Sequence, residues 1–215
     1  MGTRLGLVTA LLTVATVPDR LGGDQGRFFI TELACAPASG PKRIKLGLWH
    51  HTATFGDQSL DSRGPLAFSG ADPRTHSGNT GANIVAEHTL AGKAGKPGHL
   101  DISARFGGAP SDRNALAWAF DAGLAWTGCI PGRRADIATL GFARATFRSR
   151  DAESTRLTHP SASRVNAEQV AELSYTVPLT DRFPLKPGLQ DIRHPGGSSA
   201  LPDAVLVKLR FNAGF

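Results

Sequence analysis

The side chains of this sequence that could do chemistry are not gathered into one motif. They recur two residues apart within extended runs. Lys45, Trp49 and His51 alternate with Leu46, Leu48 and His50. Asp101 and Arg105 alternate with Leu100, Ile102, Ala104 and Phe106. Asp121 sits with Ala117, Ala119 and Gly123, opposite Leu116, Trp118, Phe120, Leu124 and Trp126. Glu172, Ser174 and Thr176 oppose Ala171, Leu173, Tyr175 and Val177, and Lys208 and Arg210 oppose Val205, Val207, Leu209 and Phe211. A period of two places each set on one face of a strand, with an apolar face behind it. Such a set exchanges hydrogen bonds with water or a passing polar solute. The plainer alternative is a generic wet wall, with Trp49 packing against a loop or an interface. Bond-breaking chemistry has no foothold: there is no G-x-S-x-G, P-loop, H-E-x-x-H or C-x-x-C, and no arrangement of Ser, His and Asp is implied. No catalytic residue, metal site or cofactor is expected, and the lone His of His194-Pro195-Gly196-Gly197 belongs most simply to a turn.

The elements that must position these residues are short strands separated by turn chemistry. They cover Phe28 to Ala36, Ile44 to Thr52, Asn83 to Leu90, His99 to Gly107, Ala115 to Trp126, Ile137 to Thr146, Gln169 to Val177, Phe183 to Arg193 and Ala204 to Phe215. Ala91 to Gly98 is a turn. Asp57 to Asn79, rich in Gly, Ser, Asp and Pro, reads as one long loop. Asp112-Arg113-Asn114 and Pro131-Gly132-Arg133 look like turn segments, with Arg113 or Arg133 placed to bridge loops. The total is about nine strands, or ten with an N-terminal run. The 25 Gly and 14 Pro favour strands and tight turns. No run of about 18 apolar residues suggests a membrane helix, and the mean hydropathy of −0.15 suits strands that alternate lipid-facing and wet positions.

The net charge of +6 and pI near 9.9 invite a nucleic-acid reading. The Arg residues are scattered singly with no aromatic platform, so nucleic acid is not expected. Cys35 and Cys129 fit no metal spacing and read as two separate thiols, with a disulfide as the alternative. Residues 1–26 are ambiguous. Arg4 followed by an apolar run to Val17 is either signal-like or a barrel strand; residues 27–215 form one β region. Alternation alone does not separate a soluble β-sandwich from a membrane barrel. Aromatics near strand ends, Trp126 and Phe183, favour interfacial girdles, and inward charges favour a wet lumen. A last strand ending on Phe215 adds weight, because it resembles the signal read by outer-membrane insertion machinery.

From Phe28 to Phe215 the sequence resembles the C-terminal half of the carbohydrate-selective porin family (OprB type). FFITEL at Phe28 to Leu33 is similar to the strand opening that half. IKLGLWHHT at Ile44 to Thr52 resembles K-L-G-x-W-x-H-T, followed by FGDQ at Phe55 to Gln58. HSGNTG at His76 to Gly81 resembles R-G-N-Y-G, and GGAPSDRN at Gly107 to Asn114 resembles A-P-x-D-R-N. FDAGLAWTGCIPGRRAD, LGFA, the stretch Val170 to Gly197 and the closing DAVLVKLRFNAGF follow in family order. The resemblance implies a sixteen-stranded, antiparallel transmembrane β-barrel. It implies passive passage of sugars across the bacterial outer membrane, usually by a homotrimer set in lipid. Sugars offer apolar C–H faces and hydroxyl rims. Within that resemblance Lys45, Trp49, His51, Asp101, Arg105, Asp121, Glu172, Lys208 and Arg210 become lumen candidates, Trp49 to stack and the charged groups to bond hydroxyls. A general-diffusion or anion-preferring pore and a soluble sugar-binding β-sandwich remain the alternatives. There are departures from the pattern. His50, Thr80 and Asp191 replace expected aromatics, Arg193 replaces an apolar residue, and Arg144 falls on the lipid side. They suggest a fragment or a copy under relaxed constraint.

Overall fold

The computed structural model describes residues 8–15, 26–36, 42–61, 63, 72–147, 166–180, 182–199 and 201–211. Residues 212–215, and with them the terminal Phe215, lie outside the described residues. Ten strands form one antiparallel sheet in sequence order. They are β1 (Val8–Ala15), β2 (Phe28–Cys35), β3 (Lys42–Asp61), β4 (Pro73–Ala91) and β5 (Leu100–Gly108), then β6 (Leu116–Thr127), β7 (Ile137–Phe147), β8 (Ala167–Thr180), β9 (Phe183–Arg193) and β10 (Ala204–Phe211). Each strand pairs with its neighbours in the chain, and among the described residues β1 and β10 do not pair with each other. The connections after β1, β3, β5, β7 and β9 share one end of the sheet, which carries the longest loops. Those after β2, β4, β6 and β8 share the short-turn end.

The register carries the alternation across the whole sheet. Leu140 faces Leu124 on one side and Leu173 on the other, and Leu124 and Leu173 face Ile102 and Leu189 in turn. Among the described residues this apolar face has no second layer. Val205, Val207 and Leu209 are 68%, 87% and 67% exposed, while the only buried apolar side chains among the described residues are Ala53 and Ala167. A soluble sandwich buries such a face against a second sheet. Here the arrangement is inverted, and hydrocarbon is the solvent that suits it. Each of these side chains contributes about 1.5–3 kcal/mol on leaving water.

The strand ends carry the expected interfacial rings. Trp126 is 49% exposed at the short-turn end, and Phe183 packs on Phe211 with centroids 5.9 Å apart. Tyr175, on the same face, donates its hydroxyl to Asp136 at 2.7 Å. Arg133 also bonds Asp136 and holds that carboxyl below its ordinary range.

The polar residues of the apolar face are paired where they stand. His50 and Thr80 are directly opposite, with Nδ1 and Oγ1 2.8 Å apart. Arg193 donates to Asp191 at 3.0 Å. The Arg144 guanidinium lies 5.8 Å from the Trp118 ring centroid, reaching toward the long-loop end of its strand. That placement lets a long cation leave the hydrocarbon while its stem stays in it.

The stretch Asp57 to Asn79 is not one long loop. β3 runs on to Asp61 and β4 starts at Pro73, giving strands of 20 and 19 residues. A tilted membrane strand needs about 9–11, so this hairpin projects beyond the bilayer. Its polar composition reflects water around it, not the absence of a strand. The register slips between His51 and Thr54, opposite Gly78 at φ 72. A left-handed residue inside a strand pair is the place for glycine.

Leu140→Arg, in the middle of the apolar face of β7, is expected to cost about 2–4 kcal/mol of folding free energy in phospholipid vesicles. Thr139→Arg, one residue away on the other face, is expected to cost little. Urea titration of tryptophan fluorescence distinguishes them.

Candidate functional site

Register places all nine sequence-selected residues on one face. Lys45 faces Val85, Val85 faces Arg105, and Arg105 faces Asp121. Trp49 and His51 follow Lys45 at steps of two on β3. Asp101 joins Lys208 through Ala125, Thr139, Ser174 and Gly188. Glu172 lies two residues from Ser174, and Arg210 two from Lys208.

Three of the nine meet in one pocket. Trp49, Arg105 and Asp121 line a cavity of about 420 Å³ with Asn83 and Asn114, floored by Gly107, Gly108 and Ala119. The indole lies flat against the sheet because residue 81, directly across the ladder, is glycine. A Cβ there would sit 2.3 Å from the indole Nε1. Asn83 lies in the same way over Gly47. Phe28, Trp49, His51 and Phe55 continue as a row of rings. Phe28 is 5.9 Å from Trp49 and 6.0 Å from His51, and His51 meets Phe55 edge-on at 5.4 Å.

Arg105 donates to Asp121 at 2.8 Å, with side-chain exposures of 63% and 38%. An ion pair this exposed contributes at most about 1 kcal/mol to stability, so its main effect is to set fixed donors and acceptors along the wall. The other candidates are engaged elsewhere on the same face. Lys45 pairs with Glu32 at 3.3 Å, and Lys208 with Glu172 at 2.7 Å. Asp101 accepts from the Thr89 hydroxyl at 2.6 Å and lies 3.0 Å from His99 Nε2. His51 accepts the Ala53 N–H at 3.1 Å, which fixes the bulge rather than leaving the ring open. Arg210 stands directly opposite Lys186.

The β5–β6 loop closes the pocket toward the long-loop end. Arg113 donates to Asp112 at 2.8 and 3.0 Å and to the Gly78 carbonyl at 2.7 Å. Asn114 and Asn79 exchange amide hydrogen bonds at 2.8 and 3.0 Å. The Gln58 N–H donates to the Asp112 carbonyl at 2.6 Å. His76 lies 2.7 Å from Asp57, whose other oxygen accepts the Ser59 and Leu60 N–H groups. The loop is therefore tied to the projecting hairpin by hydrogen bonds, with the charge-assisted one from Arg113 to the Gly78 carbonyl among them.

Asn83, Asn114, Glu32, Gly81 and Lys186 were not singled out from the sequence. Lys186 was open to the alternation rule, with Gly188 and Gln190 on its face. Glu32 was hidden because Phe28 and Ile30 share its side and break the polar pattern. Asn114 and Gly81 act through contacts distant in sequence, which strand periodicity does not report.

A single antiparallel meander with an apolar outer face, ring-lined strand ends and a charged inner wall defines a transmembrane β-barrel of the outer-membrane type. Residues 22–215 match the family described as "Carbohydrate-selective porin, OprB family", and the chain belongs to that family. Its fold is similar to the structure titled "High pH structure of Pseudomonas putida OprB", with a TM-score of 0.79 and 24% identity. The likeness covers 92% of this chain and 51% of that one, so this chain spans about half the length of that protein. No curated protein matches the sequence.

The Arg113 hydrogen bond, aided by the guanidinium charge, holds the Asp112 carboxyl below its ordinary value of 3.8. Its contribution to loop docking is present above that value and is lost as pH falls through the lower, docked-state pKa. Amide hydrogen exchange at residues 109–115, taken relative to its intrinsic rate, is expected to rise between pH 4 and pH 2, roughly the window below an ordinary carboxylate. Arg113→Ala is expected to raise it at neutral pH by about 1.5–3 kcal/mol of lost protection.

Proposed function

We propose that this chain forms wall of a bacterial outer-membrane porin through which sugars diffuse passively. The observation that carries the reading is the pocket on the polar face. A ring held flat by a facing glycine lies beside a fixed Arg105–Asp121 pair and two amides. A sugar offers that surface what it can bind: an apolar C–H face for the indole and hydroxyls for the polar groups. The grip is weak and repeated, which suits passage better than retention. Passage needs no nucleophile, since no bond changes.

In this reading the polar face, with Lys45, Trp49, His51, Asp101, Arg105, Asp121, Glu172, Lys208 and Arg210, lines the lumen. The long loops face the cell exterior and the short turns face the periplasm. The exposed series Val205, Val207, Leu209 and Phe211 supports recognition of the last strand by insertion machinery. The family resemblance further implies a trimer.

The chain is expected to fractionate with outer membranes and to migrate faster on gels before heating than after. Recovery as a folded soluble monomer would count decisively against the membrane reading. In liposome swelling, sugars are expected to enter faster than ions of similar size, and equal rates would favour general diffusion. Trp49→Ala is expected to slow sugar entry by about fivefold, as about 1 kcal/mol of ring contact predicts, while leaving small-ion conductance nearly unchanged.

A further inference from the structure

The charges of the polar face are balanced on one side of the sheet and unbalanced on the other. On β2 to β6 three cations each have a carboxylate: Lys45 with Glu32, Arg43 with Glu87, Arg105 with Asp121. Among the described residues of this face on β8 to β10, three cations share one carboxylate. Lys208 bonds Glu172 at 2.7 Å, and Lys186 and Arg210 lie within Coulombic reach of the same carboxylate. Glu168, the other acid on this side of β8, is at the far end of the strand, where it accepts the Gly196 N–H at 2.8 Å.

Lys186 and Arg210 are also direct cross-strand partners. Like charges in that position repel and weaken the pairing of their strands. Among the described residues the carboxylate within reach of both is Glu172, which Lys208 already engages. Pro184 and Gly188, the residues two before and two after Lys186 on the same face, offer no charged or hydrogen-bonding side chain. The arrangement becomes favourable when an anion sits between the two cations. The group sits close to the short-turn end, on strands other than those that form the Trp49 pocket.

We infer that the polar face of β8 to β10 binds the anionic group of a sugar acid or sugar phosphate. Lys186 and Arg210 hold the charge, and Lys208 is restrained by Glu172. The inference rests on the porin reading for its direction: the solutes that pass include charged carbohydrates as well as neutral ones. A carboxylate or phosphate satisfies the same pair of cations, so both are covered.

The test uses the full chain folded in detergent micelles with nitrogen-15 in its Lys and Arg side chains. Glucuronate and glucose 6-phosphate are expected to shift the Lys186 Nζ and Arg210 Nε signals, and glucose to leave them in place. Lys186→Gln with Arg210→Gln is expected to weaken binding of both probes by about tenfold or more. Glu172→Gln, which removes the competing carboxylate, is expected to tighten it by about fivefold. A variant that merely disturbed folding would not tighten binding. The inference is overturned if glucose shifts the signals equally, if inorganic phosphate alone binds as tightly as the sugar anions, or if Glu172→Gln weakens binding. Liposomes separate the two readings. Swelling with neutral sugars but no shift with the anionic ones removes this inference alone. Shifts without swelling in any sugar remove the porin reading and leave the anion site.

Discussion

A backbone N–H or C=O in hydrocarbon has no water to turn to. Every one that lies at membrane depth must be closed by another backbone group, and that requirement shapes the rest of the molecule. It explains why ten strands pair only with their sequence neighbours in one unbroken ladder. It also explains why the register slips where β3 and β4 pass out toward the loops and, elsewhere, only near strand ends, at Thr89/Ala91, Leu116/Trp118 and Pro178/Thr180. With the backbone committed, the side chains have only two directions to point. The hydrophobic effect then works outward. The apolar face is the exposed one, and almost nothing apolar is buried among the described residues.

The same constraint governs how polar residues survive on the outer face. A lone charge there would be costly, yet His50, Thr80, Asp191, Arg193 and Arg144 all occur. Each has a neighbour that absorbs it: Thr80 faces His50, Asp191 binds Arg193, and Trp118 receives the Arg144 guanidinium. Thr80, Asp191, Arg193 and Arg144 belong to the long-loop halves of their strands, and His50 lies near the middle of β3. What read in the sequence as loss of an aromatic is, in space, exchange of one kind of contact for another. Beyond the bilayer the rule reverses. The β3–β4 hairpin buries Asp57, Ser59 and Asp61, and it anchors the β5–β6 loop through hydrogen bonds that tolerate water.

The faces of β5, β6, β8 and β10 were legible from alternation, because their apolar and polar sets are cleanly separated. β2 was not, since Phe28 and Ile30 face the polar side along with Glu32. The projecting part of the β3–β4 hairpin was read as a loop because strand patterns are recognised by their apolar half, and a strand in water need not have one. The charged members of the site followed from period two alone. Asn114, Gly81 and the latch of Arg113 on Gly78 depend on which strands lie side by side and how far each loop folds back. Spacing along one strand holds no record of either.

The glycine opposite Trp49 has a consequence for how such a wall varies between lineages. The indole is flush only because position 81 has no side chain. Any larger residue there lifts the ring away from the sheet by the thickness of whatever is added beneath it. In the porin reading proposed above, bore is adjustable in steps from beneath the ring, without altering a ladder bond or a charge. Calibre and chemistry are separately heritable along this stretch of wall, and a single codon can narrow the one while leaving the other intact.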